Sequence, residues 1–125
     1  RLDFHIDPSE ELFYQLKGTL TLKLFMNNDF KDVKVHPGEI FRLPAMIPHS
    51  PQRPADSLGL VIERTRRQGE WDAFAWYCVN CKKEMHRETL QLTDIVKDLP
   101  PLFEAFYNSP KSTCSTCGYK CAKHA

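Results

Sequence analysis

Two short cysteine pairs, Cys78-Val-Asn-Cys81 and Cys114-Ser-Thr-Cys117, constrain this chain more than any other feature. Four soft ligands at this spacing make a closed tetrathiolate site for zinc or a single iron, so residues 82–113 must leave the site and return to it. The clamped segment is too small to bury a substantial core alone, and metal binding is expected to supply its folding energy. Four thiolates leave no open coordination position, so the role expected is structural. Cys121 is left over, either as an inert surface thiol or as a competing ligand. Two CxxC pairs with one odd thiol favour a metal site in a reducing compartment over disulfides.

A chain of 125 residues, 42% hydrophobic and 26% charged, is enough for one ordinary domain with a small appendage. The net charge of +1 gives no field able to hold a polyanion, which excludes non-specific nucleic-acid binding. No stretch approaches the roughly 20 consecutive apolar residues of a membrane span. The sequence opens with Arg1-Leu-Asp-Phe, already strand-like and without a secretory signal pattern, which leads to the expectation that a segment precedes it.

Strand-like runs are read at Phe13–Gln15, Thr19–Phe25, Lys31–Val35, Ile40–Leu43 and Leu58–Glu63. In Thr19-Leu-Thr-Leu-Lys-Leu the apolar residues recur with period two, the pattern of a half-buried strand. Asn27-Asn-Asp and His36-Pro-Gly-Glu have turn chemistry. Antiparallel strands at this spacing predict a mainly β sandwich or barrel. Pro44, Pro48, Pro51 and Pro54 surround His49 and Arg53, and the stretch is expected to be a stiff loop unable to donate to a sheet at those positions. Residues 64–70 read as a charged linker. Helical turns are expected at Thr93–Val96 and Pro100–Tyr107, with Leu102, Phe103, Phe106 and Tyr107 sharing one face. Trp71, Phe74 and Trp76 read as core, or as packing between two copies. The division expected is a barrel over residues 1–70, lacking its N-terminal part, and an extension over residues 71–125 that carries the cysteine site.

His5, Glu11 and His49 are the candidates for chemistry. Two imidazoles and one carboxylate on one face of a metal leave neighbouring positions open, the arrangement of non-haem Fe(II) oxygenases. An isolated His or Glu near a strand end is more often solvated, and His36, in a turn, reads as exposed. The framework around the three separates these readings. His5, five residues, Glu11, six residues and Gly18 match the first motif of the cupins, and Gly38, five residues, Pro44, four residues and His49 match the second. The segment therefore resembles a cupin (jelly-roll-like) barrel. Asp7 stands where the first motif usually has another histidine, and Met46 where the second usually has a glycine.

A narrower resemblance spans the chain. Leu43-Pro-Ala-Met-Ile-Pro-His-Ser-Pro-Gln-Arg-Pro, Gly59-Leu-Val-Ile-Glu-Arg, Trp76-Tyr-Cys-Val-Asn-Cys and Glu10-Glu11-Leu-Phe-Tyr-Gln are similar to the 3-hydroxyanthranilate 3,4-dioxygenase family, in its form with a C-terminal rubredoxin-like metal site. The resemblance implies Fe(II) held by His5, Glu11 and His49, a second iron or zinc at Cys78, Cys81, Cys114 and Cys117, and substrate bound by Arg1, Arg53 and Glu63. Arg53 and Glu63 would act in catalysis, Glu63 as general acid or base. The implied reaction joins 3-hydroxyanthranilate and O2 to give 2-amino-3-carboxymuconate semialdehyde, which closes to quinolinate on the route from tryptophan to NAD. A cytoplasmic homodimer is implied as well.

Residue chemistry bears on these assignments independently. An arginine fork meets a carboxylate in planar, charge-assisted pairs. Arg1 precedes His5 by four residues and shares its strand face, and Arg53 follows His49 by four in the stiff loop. Glu63 closes an apolar strand, and its role requires that it, rather than Arg64, face the interior. The competing readings are a cupin serving as a metal-dependent binding module and a dioxygenase for another aromatic acid.

Overall fold

The computed structural model describes residues 1–123. Nine strands run in the order β1 (Phe4–Ile6), β2 (Glu11–Lys17), β3 (Leu20–Met26), β4 (Asp29–Val35), β5 (Ile40–Leu43), β6 (His49–Gln52), β7 (Leu58–Glu63), β8 (Asp72–Tyr77) and β9 (Glu84–Leu90). They are followed by the helix α1 (Ile95–Tyr107) and a 3-10 turn at Pro110–Ser112. The strands form two antiparallel sheets, one of six in the order β4-β3-β6-β1-β8-β9 and one of three in the order β5-β2-β7. This is a mainly β, cupin-like sandwich with a small C-terminal extension.

Period-two patterning selects the faces. Leu20, Leu22 and Leu24 of β3 point inward with Phe13, Val35 and Leu43, forming the core between the sheets, while Thr21 and Lys23 point out. The β3–β4 connection is the two-residue Asn27-Asn28, both at positive φ (53° and 59°), a conformation asparagine tolerates and one that matches the strands' twist.

Three expectations are corrected. The proline-rich stretch is not wholly loop: β6, containing Pro51, lies within the six-stranded sheet between β3 and β1. Short pairing makes this possible, since β6 meets β1 at the single register pair His5↔His49. The two helical turns are one helix, continuous through Pro100 and Pro101. Both prolines forgo a backbone hydrogen bond, but packing of α1 on Phe74 and Trp76 through Leu99, Leu102, Phe103 and Phe106 outweighs it. The segment between the cysteine pairs, where helical turns alone are expected, contains β9 as well as α1; β8 and β9 extend the larger sheet beyond β1.

Strand β8 is buried on both faces. Ala73, Ala75 and Tyr77 pack with Phe4 and Ile6 on one side, and Phe74 and Trp76 meet α1 on the other. Phe74 and Trp76 are thus core, whereas Trp71 is 55% exposed. Cys121 is neither a surface thiol nor a member of the four-cysteine group; it packs against this third cluster as a small apolar side chain.

Candidate metal and substrate site

The β1–β6 register pair sets His5 opposite His49, and β2 brings Glu11 over both from the facing sheet. One ligand atom from each of the three lies within 4.8 Å of the others. His49 is 1% exposed and Glu11 4%.

The ring nitrogens have distinct jobs. His49 Nδ1 lies 3.0 Å from the Ile47 carbonyl oxygen, which only accepts, so Nδ1 holds the proton and Nε2 carries the lone pair. His5 Nε2 lies 2.6 Å from Asp72 Oδ2 and donates to it, which leaves the lone pair on Nδ1. Both lone pairs point at Glu11 Oε1, from 3.0 Å for His49 Nε2 and 3.6 Å for His5 Nδ1. Glu11 Oε1 is buried without a hydrogen-bond partner. Three acceptors facing one another without a donor repel unless a cation sits among them. Each histidine is oriented through its far nitrogen by an oxygen, as metal-ligating histidines are. The donor set fits a divalent metal, with two imidazoles and one carboxylate leaving positions open.

Asp7, Asp72 and Glu63 add carboxylates to this end of the barrel, and the positive partner is Arg66. Its guanidinium grips Asp72 with two nitrogens, Nε at 2.8 Å and Nη2 at 2.6 Å, and reaches Glu63 Oε1 at 2.6 Å. Burial opposes ionisation of Asp72, but hydrogen bonds from Arg66 and His5 hold it at about 2. Burial raises Glu63 above the usual glutamate range; Asp7 and Glu11 push the same way, against Arg66. A carboxyl so shifted suits proton transfer.

A cavity of about 560 Å³ lies over His5, Glu11 and His49. Arg1, Arg53 and Glu63 line it. Arg64 does not: it turns away to pair with Glu70. Arg53 has no carboxylate partner among the described residues. Its pKa is lowered by burial and then by the charge of Arg1, so an anion entering here relieves a like-charge pair. Gly59 makes room for this arm: a Cβ there would come within 2.7 Å of Arg53 Nη1 and 2.5 Å of Gln15 Oε1. Apart from Gln52 and Arg66 the remaining walls are apolar, with Phe13 and Phe74 from the sheets and Ile95 and Leu99 from α1. His36 is exposed and outside this site.

Sequence reasoning missed Asp72, Arg66, Gly59 and the α1 wall. The run Arg64-Thr-Arg-Arg-Gln-Gly-Glu looks like a solvated linker, and nothing in it singles out Arg66, whose side chain is partly buried against Asp72.

The four cysteines gather at the far end of β8. Cys78 Sγ is 3.4 Å from Cys117 Sγ, and Cys81 Sγ is 3.6 Å from Cys114 Sγ. These separations are too long for a disulfide and close to the ~3.8 Å edge of a tetrahedron with 2.3 Å metal–sulfur bonds. Backbone N–H groups of Cys117 and Thr116 lower Cys114 to about 6, while Cys81, against the Lys83 N–H, is raised to about 11 by burial and the neighbouring sulfurs. A metal resolves that competition by taking all four as thiolates.

Residues 1–107 match the family described as 3-hydroxyanthranilic acid dioxygenase. Proteins named 3-hydroxyanthranilate 3,4-dioxygenase are similar along most of the chain. The one from Jannaschia sp. (strain CCS1) is 53% identical over 120 residues, covering 94% of this chain and 67% of that protein. The Brucella anthropi protein is 53% identical over 121 residues, 94% of this chain and 66% of its own length. The Bacillus cereus (strain ATCC 10987) protein is 47% identical over 122 residues, 95% and 68% respectively. The chain therefore spans about two thirds of the length of these relatives. By its site geometry, its family match and these relatives, the chain belongs to the 3-hydroxyanthranilic acid dioxygenase family.

Proposed function

We propose that this protein is the ring-cleaving dioxygenase its family name describes, joining 3-hydroxyanthranilate and O2 to give 2-amino-3-carboxymuconate semialdehyde. The observation that carries this reading is the convergence of two imidazole lone pairs and an unpartnered carboxylate oxygen beneath a cavity that is also lined by Arg1 and Arg53, neither of which is tied to the site's carboxylates as Arg66 is. His5, Glu11 and His49 would hold Fe(II), which when bound supplies open coordination positions where an electron-rich aminophenol and O2 can meet.

Arg1 and Arg53 bind the ring carboxylate and so fix which ring bond faces the metal site. Phe13, Phe74 and Leu99 hold the ring and keep water from it. Glu63 binds the amino or hydroxyl group and holds a proton there; Arg66 occupies its Oε1, leaving Oε2 for substrate. The cysteine site holds a second metal, iron or zinc, in a structural role, and the reading extends to a cytoplasmic homodimer. No helix among the described residues is long and apolar enough to cross a membrane.

The test is anaerobic reconstitution of the protein with Fe(II), then addition of 3-hydroxyanthranilate and air, following O2 uptake and semialdehyde absorbance. Equal consumption of O2 and substrate supports the reading. Oxygen uptake only with a different aromatic acid assigns another substrate, and metal binding without oxygen uptake assigns a binding module.

A further inference from the structure

We propose that Arg66 is a positioning residue that locks the metal-ligand side of the site to its proton-transfer side through one rigid guanidinium plane. The inference rests on His5, Glu11 and His49 being the metal ligands. Nε and Nη2 of Arg66 take the two oxygens of Asp72, at 2.8 and 2.6 Å, and Nη2 also lies 3.3 Å from Asp7 Oδ2. Nη1 takes Glu63 Oε1 at 2.6 Å. Asp72 Oδ2 in turn accepts from His5 Nε2 at 2.6 Å. An imidazole and a candidate acid–base carboxyl, carried on different sheets, are thus referenced to a single planar group.

Asp72 is fully buried and its strand is fixed on both faces, so its carboxylate is a firm anchor. Glu63 ends β7, an edge strand paired only with β2, and its side chain is 31% exposed. Among the described residues its salt bridge is to Arg66. Two consequences follow together: the fork holds Asp72 so that His5 presents Nδ1 inward, and it holds Glu63 at a constant distance from that nitrogen. A lysine has one point of attachment and cannot fix both. The neighbouring Arg64–Glu70 pair closes the same loop but contacts neither Asp72 nor Glu63, so it separates positioning from simple loop stability.

The experiment uses the whole protein with zinc supplied to the four-cysteine cluster. Fe(II) affinity is measured anaerobically against a chromophoric chelator, and kcat and KM are measured separately. Arg66→Gln is expected to weaken Fe(II) on the order of 10-fold or more and also to lower kcat. Asp72→Asn should reproduce the affinity loss, Glu63→Gln only the fall in kcat, and Arg64→Gln should change neither by more than about twofold. Arg66→Lys, which keeps the charge, should fold as wild type and still lose Fe(II) affinity; it is read in the same way if the glutamine variant does not fold. Wild-type affinity in both Arg66 variants, or an equal loss in Arg64→Gln, overturns the inference. A wild-type protein that takes up no Fe(II) beyond the cysteine cluster overturns the underlying assignment as well.

Discussion

Each imidazole at the site has one nitrogen tied to an oxygen and the other turned inward, and this division of labour decides what a substitution does. Arg53 has no such tether, and its freedom to pair with an incoming carboxylate makes it the most informative residue for substrate binding. Arg53→Lys keeps the charge but loses the two-pronged geometry, so kcat/KM for 3-hydroxyanthranilate should fall on the order of 10-fold, mostly through KM. Met46 presents a different case. It stands where the cupin pattern has glycine, and it takes the left-handed conformation that glycine would supply (φ 69°), with its N–H donating to the Asp7 carbonyl at 2.9 Å. Its side chain is 60% exposed and contributes little packing. Met46→Gly should therefore stabilise the protein by up to about 1 kcal/mol in denaturant unfolding, with the turn unchanged.

At the scale of elements, the runs rich in β-branched, leucine and aromatic residues were legible: Ile40–Leu43 and Leu58–Glu63 agree with β5 and β7 to the residue, and Asn27-Asn28 marked its hairpin. The misreadings have one physical origin. β6, β8 and β9 are held by partners distant in sequence, and α1 by packing that overrides two prolines, so none carries a clean local signal. The role of Asp72 was illegible for the same reason: the register His5↔Phe74 brings it to the imidazole, and nothing around Trp71-Asp72-Ala73 announces that pairing. The four cysteines, by contrast, were legible as a group because their spacing is local. They clamp the end of β8 to the segment after α1. Chelating the metal from that cluster should raise hydrogen exchange in β8, β9 and α1 well before it affects the β3–β4 hairpin, as peptide-resolved mass spectrometry would show.

For the whole molecule, the near-zero net charge conceals a marked sorting: the buried carboxylates Asp7 and Asp72 gather around the Arg66 guanidinium beside His5, while exposed pairs spread over strands and loops elsewhere. Among the latter, hydrogen bonds from Arg64 and from the Arg67 N–H hold Glu70 at about 2, below its unfolded value near 4.5. Its folded pKa is depressed, so its contribution is present above pH ~4.5 and lost as pH falls towards 2. Wild type and Glu70→Gln should differ in unfolding free energy at pH 6 and converge by about pH 2 in parallel denaturant titrations. Composition indicates only one ordinary domain with a small appendage; the cysteine spacing adds a metal site, the strand-like runs a β fold, and the framework around His5, Glu11 and His49 the resemblance to a cupin, while Asp72 and Arg66 stay hidden because they reach the site through long-range pairing.

On the proposed function, His5, Glu11 and His49 hold the metal on which ring cleavage depends, separately from the cysteine cluster. The most direct measurement is metal content and turnover of wild type and His49→Ala, both reconstituted anaerobically with Fe(II) after zinc has filled the cysteines. Wild type should bind one iron and consume 3-hydroxyanthranilate with O2, and His49→Ala should lose that iron and its turnover while keeping the zinc. A His49→Ala protein that retains the iron and the oxygen consumption would contradict the account.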